Sequence, residues 1–192
     1  MNGTPRSERL HIAIFGRRNV GKSSLINALT NQNLALVADV PGTTTDPVLK
    51  SMEILPLGPV VVIDTAGFDD YGDLGNKRVE KTYDVLEKTD LAILVIDAKS
   101  GIRKEDIEFI DVVKSKDIGI VCVINKVDEC DNVDISKIAD RLKIPTVATS
   151  ARNRMGIEEL KNILPKSIKR EDKEKYIVRD LIEDKKWKRM RF

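Results

Sequence analysis

Short, largely apolar runs recur along this chain at 11–15, 59–64, 90–97, 118–124 and 145–149, and each gives way to a glycine, aspartate, asparagine or serine turn. Runs of that length without polar alternation mark strands buried on both faces. Between them apolar residues return every three or four positions over 22–30, 77–88, 103–115, 134–142 and 156–164, the spacing of amphipathic helices. Strand and helix alternate after residue 59, whereas 47–55 precedes a strand with no helix between. The pattern therefore predicts an α/β fold with three α/β/α layers: a mostly parallel six-stranded sheet carrying one antiparallel edge strand. The stretches at 33–46 and 65–76 read as loops. We expect one domain over 1–165 and a basic linker or helix over 166–192.

Candidate chemistry begins between the first strand and the first helix. Gly16 to Ser23 reads G-R-R-N-V-G-K-S, a complete G-x-x-x-x-G-K-[ST] phosphate-binding loop. Its backbone N–H groups and the positive end of the following helix form an anion cradle. Lys22 adds a point charge toward the β- and γ-phosphates, and the Ser23 hydroxyl is placed for magnesium. Asn19, Val20, Gly21, Lys22, Ser23 and Ser24 are the candidate phosphate-contacting residues. The alternatives for Arg17 and Arg18 are cationic helpers in catalysis or, more simply, solvated or partner-contacting side chains.

Further elements turn a phosphate site into a guanine site. Asp64-Thr65-Ala66-Gly67 fits D-x-x-G, in which the carboxylate holds magnesium through water and the Gly67 N–H senses the γ-phosphate. Asn125-Lys126-Val127-Asp128 fits N-K-x-D. Asp128 accepts from guanine N1–H and the exocyclic amine, donors that adenine lacks in that arrangement, while Asn125 braces the loops and the Lys126 stem lies over the base. Thr149-Ser150-Ala151 follows the last strand, and its amides, Ser150 and Ala151 among them, can reach guanine O6. Lys22 and Asp64 are 42 positions apart and Asp64 and Asn125 are 61, so every element falls at one edge of one sheet.

This set resembles the translation-factor-class P-loop GTPases, in the branch of the tRNA-modifying and ribosome-assembly G proteins, over roughly residues 10–165. Within that branch, the P-G-T-T-T-D-P-V segment (Pro41 to Val48), the P-L-G-P-V-V-V-I segment (Pro56 to Ile63) and a G domain beginning near the amino terminus resemble the maturation GTPases of iron-iron hydrogenase. The resemblance implies a slowly hydrolysing switch domain that binds GTP, GDP and Mg2+ and serves assembly of the hydrogenase metallocluster. Its implied partners, reached through a longer protein, are the maturation enzymes HydE and HydG and the hydrogenase itself, with a G-domain dimer as a further option. The family's iron-sulfur cluster domain has no counterpart here, so no such cluster is expected in this chain. The alternative is a tRNA-modification or ribosome-assembly GTPase that contacts RNA through its basic tail.

Catalysis departs from the small signalling GTPases, because the glutamine that follows D-x-x-G there is Phe68 here. A phenyl ring orients no water, so transition-state charge must be met otherwise. By resemblance, Asn19 and carbonyls of the 38–42 turn hold K+, and Thr44, in competition with Thr43 and Thr45, closes on magnesium. The tRNA-modifying relative's switch glutamate falls at Gly75 or Asn76, with Asp69, Asp70 and Asp73 as nearby substitutes. The candidate catalytic set is Lys22, Thr44, Gly67 and Asn19.

Charge and cysteine content change little. The segment 166–192 carries 11 Lys and Arg against 6 Asp and Glu, a modest excess that a solvated linker explains better than RNA binding. No apolar run approaches the ~20 residues a membrane helix needs, and residues 1–9 are polar, so a cytoplasmic location is expected. Cys122, inside an apolar strand, reads as a small buried hydrophobe, Cys130 as an exposed loop thiol, and His11 as a strand-edge residue.

Overall fold

The computed structural model describes residues 9–30, 48–65, 82–130 and 133–169. Its strands are β1 (Leu10–Phe15), β2 (Val48–Ile54), β3 (Gly58–Asp64), β4 (Leu91–Asp97), β5 (Gly119–Asn125) and β6 (Thr146–Ala148). They form one sheet in the order β2-β3-β1-β4-β5-β6. β2 runs antiparallel to β3, and every other neighbouring pair is parallel. The helices are α1 (Lys22–Leu29), α2 (Lys104–Ser115), α3 (Ile135–Leu142) and α4 (Ile157–Ser167). A short helical segment at 82–86 is what the structure describes of the helix expected at 77–88.

Period-two alternation inside the apolar runs divides the core in two. Leu10, Ile12 and Ile14 of β1 join Ile93 and Val95 of β4 and Val121 and Val123 of β5 on one face, packed with Leu25 and Ile26 of α1 and Leu160 and Leu164 of α4. Ala13 and Phe15, with Leu94, Ile96, Cys122 and Ile124, meet Phe109, Ile110 and Val113 of α2 on the other. The Phe15 and Phe109 rings lie 4.7 Å apart at 45°. Each buried Val, Leu, Ile or Phe here stabilises by about 1.5–3 kcal/mol, and slipping a strand by one residue would exchange both faces at once.

Local signals set the boundaries. The Asp106 carboxylate accepts the Arg103 N–H at 2.8 Å at the start of α2, and Asp134 Oδ1 accepts the Lys137 N–H at 2.9 Å at the start of α3. α4 runs three residues past the predicted 164, and Ile168 beyond it is buried in the core, because the apolar stripe continues through Leu164 to that residue. A 3₁₀ turn at Val127–Glu129 carries no periodic signal and was not expected from the pattern. Because β1, β3, β4, β5 and β6 point the same way, Gly16, Thr65, Ala98, Lys126 and Thr149 all leave the sheet at its C-terminal edge.

Candidate functional site

After β1 the chain turns through Gly16, Asn19 and Gly21, all at positive φ (148°, 60° and 94°), into α1. A Cβ on Gly21 would overlap Asn125 Nδ2, and one on Gly16 would overlap the Val95 carbonyl oxygen. Only glycine permits both the backbone turn and those approaches. Asn19 is exposed and takes the left-handed conformation that asparagine tolerates better than most residues. Lys22 folds back over the loop, its Nζ donating to the Gly16 and Arg17 carbonyls at 2.9 Å each. Among the described residues no side chain caps α1, so its first-turn N–H groups face the hollow of the loop, the arrangement that binds phosphate elsewhere. Ser24 is exposed in the first turn and Val20 is buried.

The structure brings together two of the expected magnesium ligands. Ser23 Oγ donates to Asp64 Oδ2 at 3.1 Å, although 41 residues separate them. Thr65 holds the end of β3 against β1, its hydroxyl donating to the Ile14 carbonyl at 2.7 Å. A hydroxyl and a carboxylate side by side are hard oxygen donors of the number magnesium takes from protein when phosphate and water complete its shell. Thr44 and Gly67 lie outside the described residues, as do Thr43, Thr45, Phe68, Asp69, Asp70, Asp73, Gly75, Asn76 and the 38–42 turn.

Asn125 organises the other end. It is 1% exposed; its Nδ2 donates to the Val20 carbonyl at 2.9 Å, and its Oδ1 accepts from Thr149 Oγ1 at 3.1 Å and from the Ala151 N–H at 3.0 Å. One side chain thus ties the phosphate loop, the end of β5 and the loop after β6. The amides expected to reach guanine O6 are engaged within the protein: Thr149 N–H donates to Ile124, Ser150 N–H to Met155 and Ala151 N–H to Asn125. An O6 contact from Ala151 would therefore be a shared, three-centre bond.

Lys126 sits at φ 63°, a conformation costing an ordinary residue about 1–2 kcal/mol, and its Nζ lies 2.7 Å from Asp97 Oδ2. Burial raises the Asp97 carboxyl, but the Lys126 ammonium and the Lys99 and Ser100 amides outweigh it and hold the pKa below the ordinary value. Asp128 is exposed, and Asn153 Nδ2 donates to its Oδ2 at 3.2 Å. Asn153 and Asp97 escaped the sequence reading. Asp97 carried a usable signal, since it ends a parallel strand at the edge where such sheets bind ligands.

Arg17 corrects both readings made for it. It is 4% exposed, neither solvated nor turned toward a partner, and its Nη2 donates to Ser100 Oγ at 3.1 Å and to the Gly101 carbonyl at 2.7 Å. The same nitrogen lies 3.6 Å from Asp106 Oδ2, a charge contact too long for a hydrogen bond. Burial pushes the Asp106 carboxyl above its ordinary range, against the pull of the Arg103 amide and the Arg17 charge. A buried guanidinium so occupied is unavailable to a phosphate. Arg18 is exposed. Burial likewise raises the Cys122 thiol to about 12, with the Asp106 charge adding to it, so Cys122 is an inert apolar residue. Cys130 is half-buried rather than exposed, and the His11 N–H donates to Asp90 at 2.7 Å.

A family model described as 50S ribosome-binding GTPase matches residues 11–126. Among curated proteins, the tRNA modification GTPase MnmE of Thermoanaerobacter sp. (strain X514) is 39% identical over 159 residues, 82% of this chain and 34% of that protein. MnmE of Acetivibrio thermocellus is 37% identical over the same share of each. The chain spans about a third of the length of these relatives. Among solved structures, a point variant of Aquifex aeolicus Era bound to GDP and aluminium fluoride superposes with a TM-score of 0.66 at 30% identity, over 83% of this chain and 56% of that one. The G domain of the Thermotoga maritima FeoB iron transporter superposes with a TM-score of 0.63 at 27% identity, over 83% and 98%.

Proposed function

Because the chain belongs to the 50S ribosome-binding GTPase family, as a P-loop GTPase G domain of the branch that includes MnmE and Era, we propose that it binds GTP along the C-terminal edge of its sheet and hydrolyses it as the switch domain of a tRNA-modification protein. The observation that carries the reading is the bond from Asn125 to the Val20 carbonyl at 2.9 Å, which joins a guanine-type loop to a phosphate-type loop as one pocket. The amides of the 16–23 loop and the Lys22 ammonium hold the phosphates, and Asp128 accepts from the guanine N1–H and amine. Water attacks the γ-phosphorus, the bond to the β-phosphate oxygen breaks, and GDP leaves. Ser23 and Asp64, joined by Thr44, would hold a magnesium ion, which would supply charge neutralisation to the triphosphate. Asn19 supplies a side-chain oxygen at the exposed shoulder of the loop for K+, while Gly67 and Thr44 read the γ-phosphate.

Calorimetry with nucleotide-free protein tests the core of this reading. Uptake of GDP and GTP but not ATP, dependent on magnesium for GTP, is expected; indifference to guanine nucleotides would overturn it. Turnover in K+ against Na+ at equal ionic strength tests Asn19, whose role fails if the rates are equal.

The MnmE relatives, 36–39% identical, favour a tRNA-modification setting over hydrogenase maturation. The second reading rests on the Pro41 to Val48 and Pro56 to Ile63 segments and gives the longer protein HydE, HydG and the hydrogenase as partners. Steeply salt-dependent tRNA binding supports the first reading. Nucleotide-dependent association with HydE or HydG supports the second.

A further inference from the structure

Asp97 ends β4, and the sheet order places β4 between β1, which leads into the phosphate loop, and β5, which leads into the base loop. Its register partner is Asn125. The turn that follows is held from every side. The Ala98 N–H donates to the Asn125 carbonyl at 2.9 Å, the Ser100 and Gly101 N–H groups donate to the Asp97 carbonyl at 3.2 and 3.0 Å, and the Lys99 N–H donates to Asp97 Oδ1 at 2.9 Å. Arg17, from the phosphate loop, grips Ser100 and Gly101. Asp97 Oδ1 is thus spent on the turn, and Oδ2 is directed at Lys126 Nζ 2.7 Å away.

That geometry fixes the course of a flexible side chain. Lys126 starts in the base loop, two residues before Asp128, and its ammonium is anchored at a strand end that lies on the phosphate-loop side. Its four-carbon stem therefore runs along the pocket edge between the two loops, where a purine joined to phosphates on the 16–23 loop must lie. We propose that Asp97 is a positioning residue for guanine-nucleotide binding, pinning Lys126 so that its apolar stem forms a preset wall against the base, with the Arg17-clamped turn as the rigid mount. The proposal rests on the nucleotide reading given above and adds a residue outside the sequence motifs that support it. An unpinned lysine must lose its rotamer freedom when the nucleotide arrives, whereas a pinned one has lost it already.

The test is a double-mutant cycle on GDP affinity with Asp97→Asn and Lys126→Met. Asparagine keeps Oδ1 for the Lys99 amide and sets an amide NH2, itself a donor, where the charged acceptor faced the ammonium; methionine keeps much of the stem and removes the ammonium. Each single variant should weaken GDP binding on the order of three- to tenfold, with KM for GTP raised and kcat unchanged, because a wall for the base acts equally in ground and transition states. The double variant should bind no more weakly than the weaker single one. Unchanged affinity in either variant, or losses that multiply in full, would overturn the proposal. Should Asp97→Asn fold poorly, Lys126→Met alone decides, since retained affinity without the ammonium removes any need for the pin. Failure of the unaltered protein to take up GDP would instead remove the nucleotide reading and this inference with it.

Discussion

The back and the front of the same loops are built differently. Behind the site, Asn125, Thr149, Arg17 and Asp106 are between 0% and 4% exposed and bind one another's loops through hydrogen bonds and charge. In front, Asn19, Ser23 and Asp128 are exposed. A buried polar group that loses its partner costs the fold directly, whereas an exposed one returns to water at little expense. Shape is therefore stored at the back, and on the proposed function selectivity would be presented at the front. Substitutions behind the loops should register first in stability, and those in front first in ligand affinity.

The sharpest break of that division comes from Arg17, which belongs to the phosphate loop by sequence and to the back by burial. Arg17→Ala strands the buried Asp106 carboxylate and should cost about 3–5 kcal/mol in urea unfolding. Replacing both partners with apolar residues of similar size, Arg17→Met with Asp106→Leu, should recover the part due to the stranded charge and not the part due to the Arg103 cap bond and the Gly101 carbonyl. If Arg17→Ala instead left stability intact and slowed only GTP turnover, Arg17 would belong to the front. Asp128 is the opposite case. Asp128→Asn should leave the unfolding midpoint within about 0.5 kcal/mol of the parent, because the residue is exposed. It should weaken GTP binding roughly 10²–10⁴-fold through two lost charged hydrogen bonds, with xanthine nucleotides bound in exchange.

The same division explains what could be read from the chain alone. Front residues sit at fixed spacings in loops, so Gly16 to Ser23, Asp64 and the Asn125 to Asp128 run are visible as motifs, and the apolar runs that deliver them reveal the parallel sheet. Back residues are chosen by tertiary partners. Nothing local to Arg17 says that Gly101 and Asp106, more than eighty positions away, will bury it, and a charged residue in a glycine-rich loop reads as solvated by default. The antiparallel edge strand was legible because no helix separates 47–55 from 59–64. The 3₁₀ turn at Val127–Glu129 and the extra turn of α4 were not, since three residues show no period and helix ends depend on what they pack against. Asn153 was hidden for a simpler reason: a polar residue in a polar turn acquires meaning only when its amide is found 3.2 Å from Asp128.

Asn153 offers a gentler test of the front. Its amide holds one oxygen of the carboxylate that would face guanine, and both groups are exposed. Asn153→Ala should therefore leave stability unchanged and cost about 1 kcal/mol in GTP binding, near fivefold, read by calorimetry. A loss as large as that of Asp128→Asn would make Asn153 a direct contact to the base rather than an orienting one.

The smallest expected effect is a pH dependence at the seam between back and front. Asp97 has a folded-state pKa below its ordinary 3.8, through Lys126 and the Lys99 and Ser100 amides acting against burial. Its contribution to stability is therefore complete above that ordinary value and is lost as pH falls through the folded-state value. Asp106 acts with the opposite sign: its raised pKa makes the folded state take up a proton more readily, which offsets part of the loss as acid is added. Comparing the parent with Asp97→Asn isolates the first term, since Asp106 is common to both. The urea midpoints of the two proteins should differ by a constant amount from about pH 7 down to about pH 5 and converge below the ordinary carboxylate range. A gap of constant size at every pH, with no narrowing as acid is added, would mean that the Asp97 charge contributes nothing to the fold and that the two side chains differ only in shape.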